Sequence, residues 1–138
     1  MEQGFQVFMI SWKNVDESLA DTKFEDYMTL GPLAGADVAR QITGADKVNP
    51  VGYCIGGTLL GTTLAYLAAD ESDEKREAFG APTFLTAMLD FSEVGEQAAF
   101  TDKPRVEFME LQMKELGYLP GEQLDNMFNL LHPTQLIW

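Results

Sequence analysis

Val48-Asn49-Pro50-Val51-Gly52-Tyr53-Cys54-Ile55-Gly56-Gly57-Thr58-Leu59-Leu60 is the stretch whose reading decides the fold. A short apolar run ends at Gly52, the only cysteine follows two residues later, and two further glycines lead into an apolar helical pattern. Glycine–x–cysteine–x–glycine between a strand and a helix is the pattern of a nucleophile elbow, a tight turn that lifts one side chain out of the bend. The demand on the flanking glycines is steric, because strand and helix backbones pass too close to admit a Cβ. Cys54 is thereby placed at a helix N-terminus, where free N–H groups and the positive dipole end favour a thiolate and an oxyanion. The N–H of Ile55, next in the chain, is the expected donor to that oxyanion.

Working upstream, Gly44 stands where a helix C-terminal cap belongs, and Leu33, Ala34, Val38 and Ile42 are spaced as one apolar stripe behind it. Pro32 suits the first position of that helix, after a break at Gly31. Thr22 with Glu25 predicts a capped helical turn. Phe5 to Trp12 is apolar without alternation, as in a strand buried on both faces of a parallel sheet. Downstream of the elbow, the helix is expected to run to about Ala69, with Leu60, Leu64 and Leu67 on one side. Asp70 to Glu77 is a charge run and reads as a solvated loop. Thr83 to Leu89 reads as a third strand. A helix from Asp102 or Lys103 follows, with Val106, Met109, Met113 and Leu116 on one face and Gly117 as its stop. Leu124, Met127, Phe128 and Leu131 form another helical face, ended by Pro133. Strands separated by long crossovers imply parallel pairing, hence an α/β fold.

The 138 residues make at most one domain, and with 46% apolar and 11% aromatic residues the chain reads as globular. Acidic residues outnumber basic ones 22 to 9, a formal charge of −13, which argues against nucleic acid or an anionic membrane as partner. No signal peptide and no membrane-spanning apolar run is read, and one cysteine cannot form an internal disulfide, so a cytoplasmic setting is expected.

With these residues in view, the chain resembles the class I polyhydroxyalkanoate synthases, or poly-3-hydroxybutyrate polymerases. The resemblance is carried by Val7–Asn14, Phe24–Tyr27, Val48-Asn49, Gly52-Tyr-Cys-Ile-Gly-Gly-Thr-Leu-Leu60, Leu89-Asp-Phe91 and Leu136-Ile-Trp138, in family order. It implies a partial α/β-hydrolase core over residues 1–90, with the nucleophile elbow, and the start of a helical cap over 91–138. It implies that Cys54 is the acyl-accepting nucleophile, that (R)-3-hydroxyacyl-CoA and the growing polyester are the partners, and that a full-length member forms homo-oligomers on polymer granules. No metal and no cofactor is implied, the coenzyme A thioester being substrate. Family members are several times longer, and their catalytic aspartate and histidine lie beyond the cap. The chain is therefore expected to be an internal piece of a synthase, inactive and poorly soluble alone, with exposed sheet edges and apolar helix faces.

Within the chain, Cys54, Asp90 and His132 run in nucleophile–acid–histidine order. His132 is set aside, because no strand after Leu89 carries it back over the elbow. Asp90, ending a strand on the side where active sites lie, is expected to hold the hinge into the cap at the site edge. Trp12, Tyr53 and Trp138 suit an acyl pocket or plain core packing. Lys13 and Asn14 suit a ligand-facing or solvated loop. Gly56-Gly57 lacks P-loop spacing. A cysteine-dependent ester or lactone hydrolase and a non-catalytic module that associates with polymer granules or a partner subunit are the competing functions.

Overall fold

Among residues 3–69, 74–95, 102–123, 125 and 126, which the computed structural model describes, the helical elements are α1 (Phe24–Met28), α2 (Ala34–Thr43), α3 (Ile55–Ala69) and α4 (Lys103–Leu116), and the strands are β1 (Val51–Tyr53) and β2 (Thr83–Leu85). They fall into two compact units, Met1–Ser11 with Lys23–Asp90 and Trp12–Thr22 with Phe91–Trp138.

In the first unit β1 and β2 pair in parallel, with Val51 opposite Thr83, Gly52 opposite Phe84 and Tyr53 opposite Leu85. A parallel pair needs a long crossover, and α3 supplies it. No charged residue interrupts α3, and it buries Gly57, Leu59, Leu60, Thr63 and Leu67 at helical spacing. Leu67 is fully buried, which stabilises the unit by about 2 kcal/mol. Met28, Leu33, Ala36, Leu59, Leu67, Ala78 and Phe79 form the core, with Tyr27, Val48 and Leu64 packed against it. Pro50 lies just before β1 and costs the ladder nothing, since its carbonyl accepts from the Thr83 N–H at 2.9 Å. The parallel pairing and the extent of α3 agree with the sequence expectation.

Several expectations are corrected. Phe5–Trp12 forms no strand and lies exposed; an apolar run states what a segment could bury, while a strand also needs a neighbour to bond, and β1 and β2 pair with each other. The third strand ends at Leu85, four residues early, because Thr86 turns left-handed at φ +48°. The chain does not break at Gly31: Thr29–Leu33 is a π-helical turn joining α1 to α2, with Pro32 inside it. The wider turn takes up the proline, which has no N–H for an i−4 bond. α2 turns a different face inward, burying Ala36 and Ala39 after Leu33 and leaving Val38 and Ile42 at 50% and 61% exposure. Its C-terminal Gly44 is left-handed as expected. The cap of α1 also shifts by one residue, with the Lys23 N–H donating to Asp26 Oδ2 at 2.7 Å. Of the charge run, residues 70–73 lie outside the described set; Glu74–Ala78 is a 3₁₀ turn. There Lys47 pairs with Glu77 at 3.0 Å and holds its carboxyl below the ordinary value.

In the second unit, α4 carries Pro104 in its first turn and ends at a left-handed Gly117. Val106, Met109 and Gln112 are the half-buried positions, whereas Met113 and Leu116, expected on that face, are exposed. Leu124, Met127, Phe128, Leu131, His132, Pro133 and Trp138 lie outside the described residues. Lys13, read as a ligand-facing or solvated loop residue, is exposed and also braces a turn: its Nζ lies 2.7 Å from Asp16 Oδ2 and donates to Ser18 Oγ at 2.7 Å. Asp16 Oδ1 accepts from the Ser18 N–H at 2.9 Å. Lys13 first, then Ser18, lower the Asp16 carboxyl to about 2. A carboxyl lowered on folding stabilises above its unfolded value, near 4, and loses that contribution as pH falls through the folded value. Order in this turn is thus expected to persist to pH 3 and fail towards pH 2, read from the Asp16 side-chain ¹³C shift; a midpoint near 4 would contradict it.

Candidate functional site

The site is built where β1 meets α3. Tyr53 ends the strand, Ile55 opens the helix, and Cys54 between them is left-handed at φ +51°. A non-glycine residue there costs on the order of 1–3 kcal/mol and persists only where its surroundings dictate it. Three hydrogen bonds do so here. The Cys54 N–H donates to the Leu85 carbonyl at 2.9 Å, and the Cys54 carbonyl accepts from the N–H groups of Gly57 and Thr58 at 2.9 and 3.2 Å. At about 1 kcal/mol net apiece they match the strain.

Glycine requirement can be placed residue by residue. A Cβ on Gly52 would stand 2.5 Å from the Gly57 Cα and 3.0 Å from its nitrogen, and a Cβ on Gly57 would stand 2.3 Å from the Ala87 Cβ and 3.0 Å from the Gly52 oxygen. Strand and helix therefore touch backbone to backbone at this pair. Gly56 differs: a Cβ there meets nothing within 4 Å. The steric reason expected at the flanking glycines thus holds for Gly52 and Gly57 and not for Gly56. Gly56→Ala is expected to leave stability unchanged or raise it by up to about 1 kcal/mol through helix propensity, as read from the denaturant midpoint; a loss above that size would contradict the open space.

The Cys54 residue is exposed and its thiol is free. Ile55 is 75% exposed at the first helical position, where the N–H groups of an opening turn have no intrahelical carbonyl to meet. Cys54, Ile55, Gly52, Gly56 and Gly57 are brought together by the bend. Asp90 lies in exposed coil beyond β2. Tyr53 and Trp12 are both exposed. The sequence reading missed Thr86. It is the other non-glycine residue with positive φ among those described, and it follows Leu85 as Cys54 follows Tyr53. Two neighbouring strands thus end in matching left-handed bends at the carboxyl edge of the sheet. Nothing in its residue type signals this, since a β-branched side chain is disfavoured there.

In the second unit, Arg105, Phe108, Met109, Gln112, Gln123 and Asn126 line an open cavity of about 420 Å³, which includes none of the expected site residues. Among the described residues no cluster of three or more His, Cys, Asp or Glu side chains is placed to hold a metal ion, and no helix is long and apolar enough to cross a membrane.

The described residues define an α/β protein with a single thiol raised at a strand–helix bend. Across all 138 residues the chain is 43% identical to a poly(3-hydroxyalkanoate) polymerase of Methylorubrum extorquens and 39% identical to a poly(3-hydroxyalkanoate) polymerase subunit PhaC of Rhizobium meliloti, covering 22% of each. It is 36% identical to the corresponding subunit of Cupriavidus necator, covering 24% of it. Over its whole length the chain is similar to a segment of these poly(3-hydroxyalkanoate) polymerases, and it spans about a fifth to a quarter of their length. No protein-family model matches it.

Proposed function

We propose that this chain carries the nucleophile of an acyltransferase that polymerises (R)-3-hydroxyacyl-CoA into polyester. The observation that carries the reading is the left-handed, exposed Cys54 between β1 and α3, in a chain similar over its full length to proteins named poly(3-hydroxyalkanoate) polymerase. The Cys54 sulfur, as thiolate, attacks the acyl carbonyl carbon of the thioester. The carbon–sulfur bond to coenzyme A breaks, and coenzyme A leaves as a thiolate that takes up a proton. The acyl group is then held on Cys54 as another thioester of similar energy, so little is lost in the transfer. The 3-hydroxyl of one acyl unit attacks the carbonyl of the next; an ester forms and a cysteine is regenerated. In this reading the Ile55 N–H donates to the oxyanion of each tetrahedral intermediate, and Gly52, Gly56 and Gly57 shape the bend around it. Deprotonation of thiol and hydroxyl needs a base with an orienting carboxylate, which in this reading lies outside the chain. Asp90 belongs to the site edge, and the chemistry as written uses no metal or cofactor. The working enzyme is a cytoplasmic homo-oligomer on polymer granules.

The test is to expose a full-length polymerase carrying this segment to 3-hydroxybutyryl-CoA and map the acylated residue by mass spectrometry. A hydroxybutyryl adduct on Cys54 with polymer as product supports the reading. An adduct with only free acid would make the chain part of a hydrolase, and modification elsewhere would overturn Cys54 as the acceptor.

A further inference from the structure

We propose that Thr58 is a positioning residue for Cys54: its hydroxyl, bonded to the Met88 carbonyl, holds the bend after β2 beside the bend after β1 and so fixes the backbone that presents the thiol. The inference rests on Cys54 being the acyl acceptor. Three threonines of α3 form an internal comparison. Thr62 and Thr63 donate to carbonyls one turn back in their own helix, those of Thr58 and Leu59, at 2.9 and 2.8 Å, the usual habit of a hydroxyl inside a helix. Thr58 reaches across to Met88, 30 residues on, at 2.7 Å.

That bond is the polar centre of a stitched seam. On one side of it the Ala87 Cβ occupies the space left by Gly57, and on the other Leu89 Cδ2 occupies the space left by Gly61, each so close that an added Cβ would stand within 2.5 Å. Residues 87–89 are therefore laid along the opening turns of α3. One residue, Thr86, separates this fastened segment from Leu85, whose carbonyl accepts the Cys54 N–H. Thr86 is β-branched and left-handed, a conformation that lasts only while its surroundings enforce it. When the Thr58 bond is lost, Thr86 is free to relax to an extended conformation, the Leu85 carbonyl swings, and the Cys54 N–H loses its acceptor. Strain at one bend is thus held in check by a hydroxyl that also governs the other.

The experiment is peptide-resolved hydrogen exchange on a full-length polymerase carrying this segment, comparing Thr58→Val, Thr58→Ala and Thr58→Ser with the unaltered protein. Losing one hydrogen bond is expected to speed exchange at the Cys54 N–H roughly fivefold in the valine and alanine variants. Exchange at Thr63 and Leu67, deeper in α3, stays as it was, and serine restores the Cys54 rate. Equal acceleration throughout α3, no change at Cys54, or loss of folding in both the valine and alanine variants would overturn the proposal, since the hydroxyl would then serve the whole unit or nothing. Acyl transfer is not part of this readout. Failure to find an adduct on Cys54 would count against the nucleophile and leave the Thr58 result standing.

Discussion

Cys54→Ala in a full-length polymerase carrying this segment is expected to cut coenzyme A release from 3-hydroxybutyryl-CoA by on the order of 10⁶-fold, the scale seen when a covalent nucleophile is removed from other enzymes. The substitution is well suited to the question. Alanine keeps a Cβ, so it meets the same left-handed strain at φ +51° that cysteine does, and the backbone bonds to Leu85, Gly57 and Thr58 need no side chain. Cys54 is exposed and takes no part in the buried core, so deleting its sulfur leaves no cavity there. Folding should therefore survive, with the thermal midpoint within a few degrees of the parent, while the chemistry fails. Coenzyme A release at the parental rate would remove Cys54 from the mechanism.

The second large effect is expected at the glycine pair beneath the bend. Gly52→Ala and Gly57→Ala should each destabilise the first unit by about 3 kcal/mol or more, the upper range for forcing atoms into a filled space. A flexible side chain could move aside, but Gly52 faces backbone: the Gly57 Cα at 2.5 Å. Relief has to come from prising β1 off α3, which disturbs Cys54 as well. Against a total stability of 5–15 kcal/mol for an ordinary domain, that is a large share. Denaturant midpoints would show it, with Gly56→Ala as the matched control on the same turn. Equal midpoints for all three variants would mean that strand and helix are not in the contact described.

The bend was legible because its constraints are local. Glycine where two backbones meet, a cysteine between strand and helix, and an uncharged run behind it are each readable from single residues. The same holds for α4, with Pro104 at its start and Gly117 at its stop. What stayed hidden depends on partners. Phe5–Trp12 has the composition of a buried strand, but composition does not supply a neighbouring strand. The inward face of α2 is set by the small side chains of Ala36 and Ala39, which let the core approach closely, while the larger Val38 and Ile42 point outward. Thr86 ends β2 by adopting a conformation its side chain disfavours. Thr58 looks like Thr62 and Thr63 in sequence, and only the path of the distant segment at Met88 sets it apart.

A free cysteine on an exposed bend carries a chemical liability. These 138 residues hold no second cysteine for it to pair with, so oxidation would join it to a thiol from outside this segment, and on the proposed mechanism that bond would occupy the acyl-accepting atom. If Cys54 accepts the acyl group as proposed, the exposure that lets a thioester in lets oxidants in as well, and a reductant is then needed to restore the acceptor.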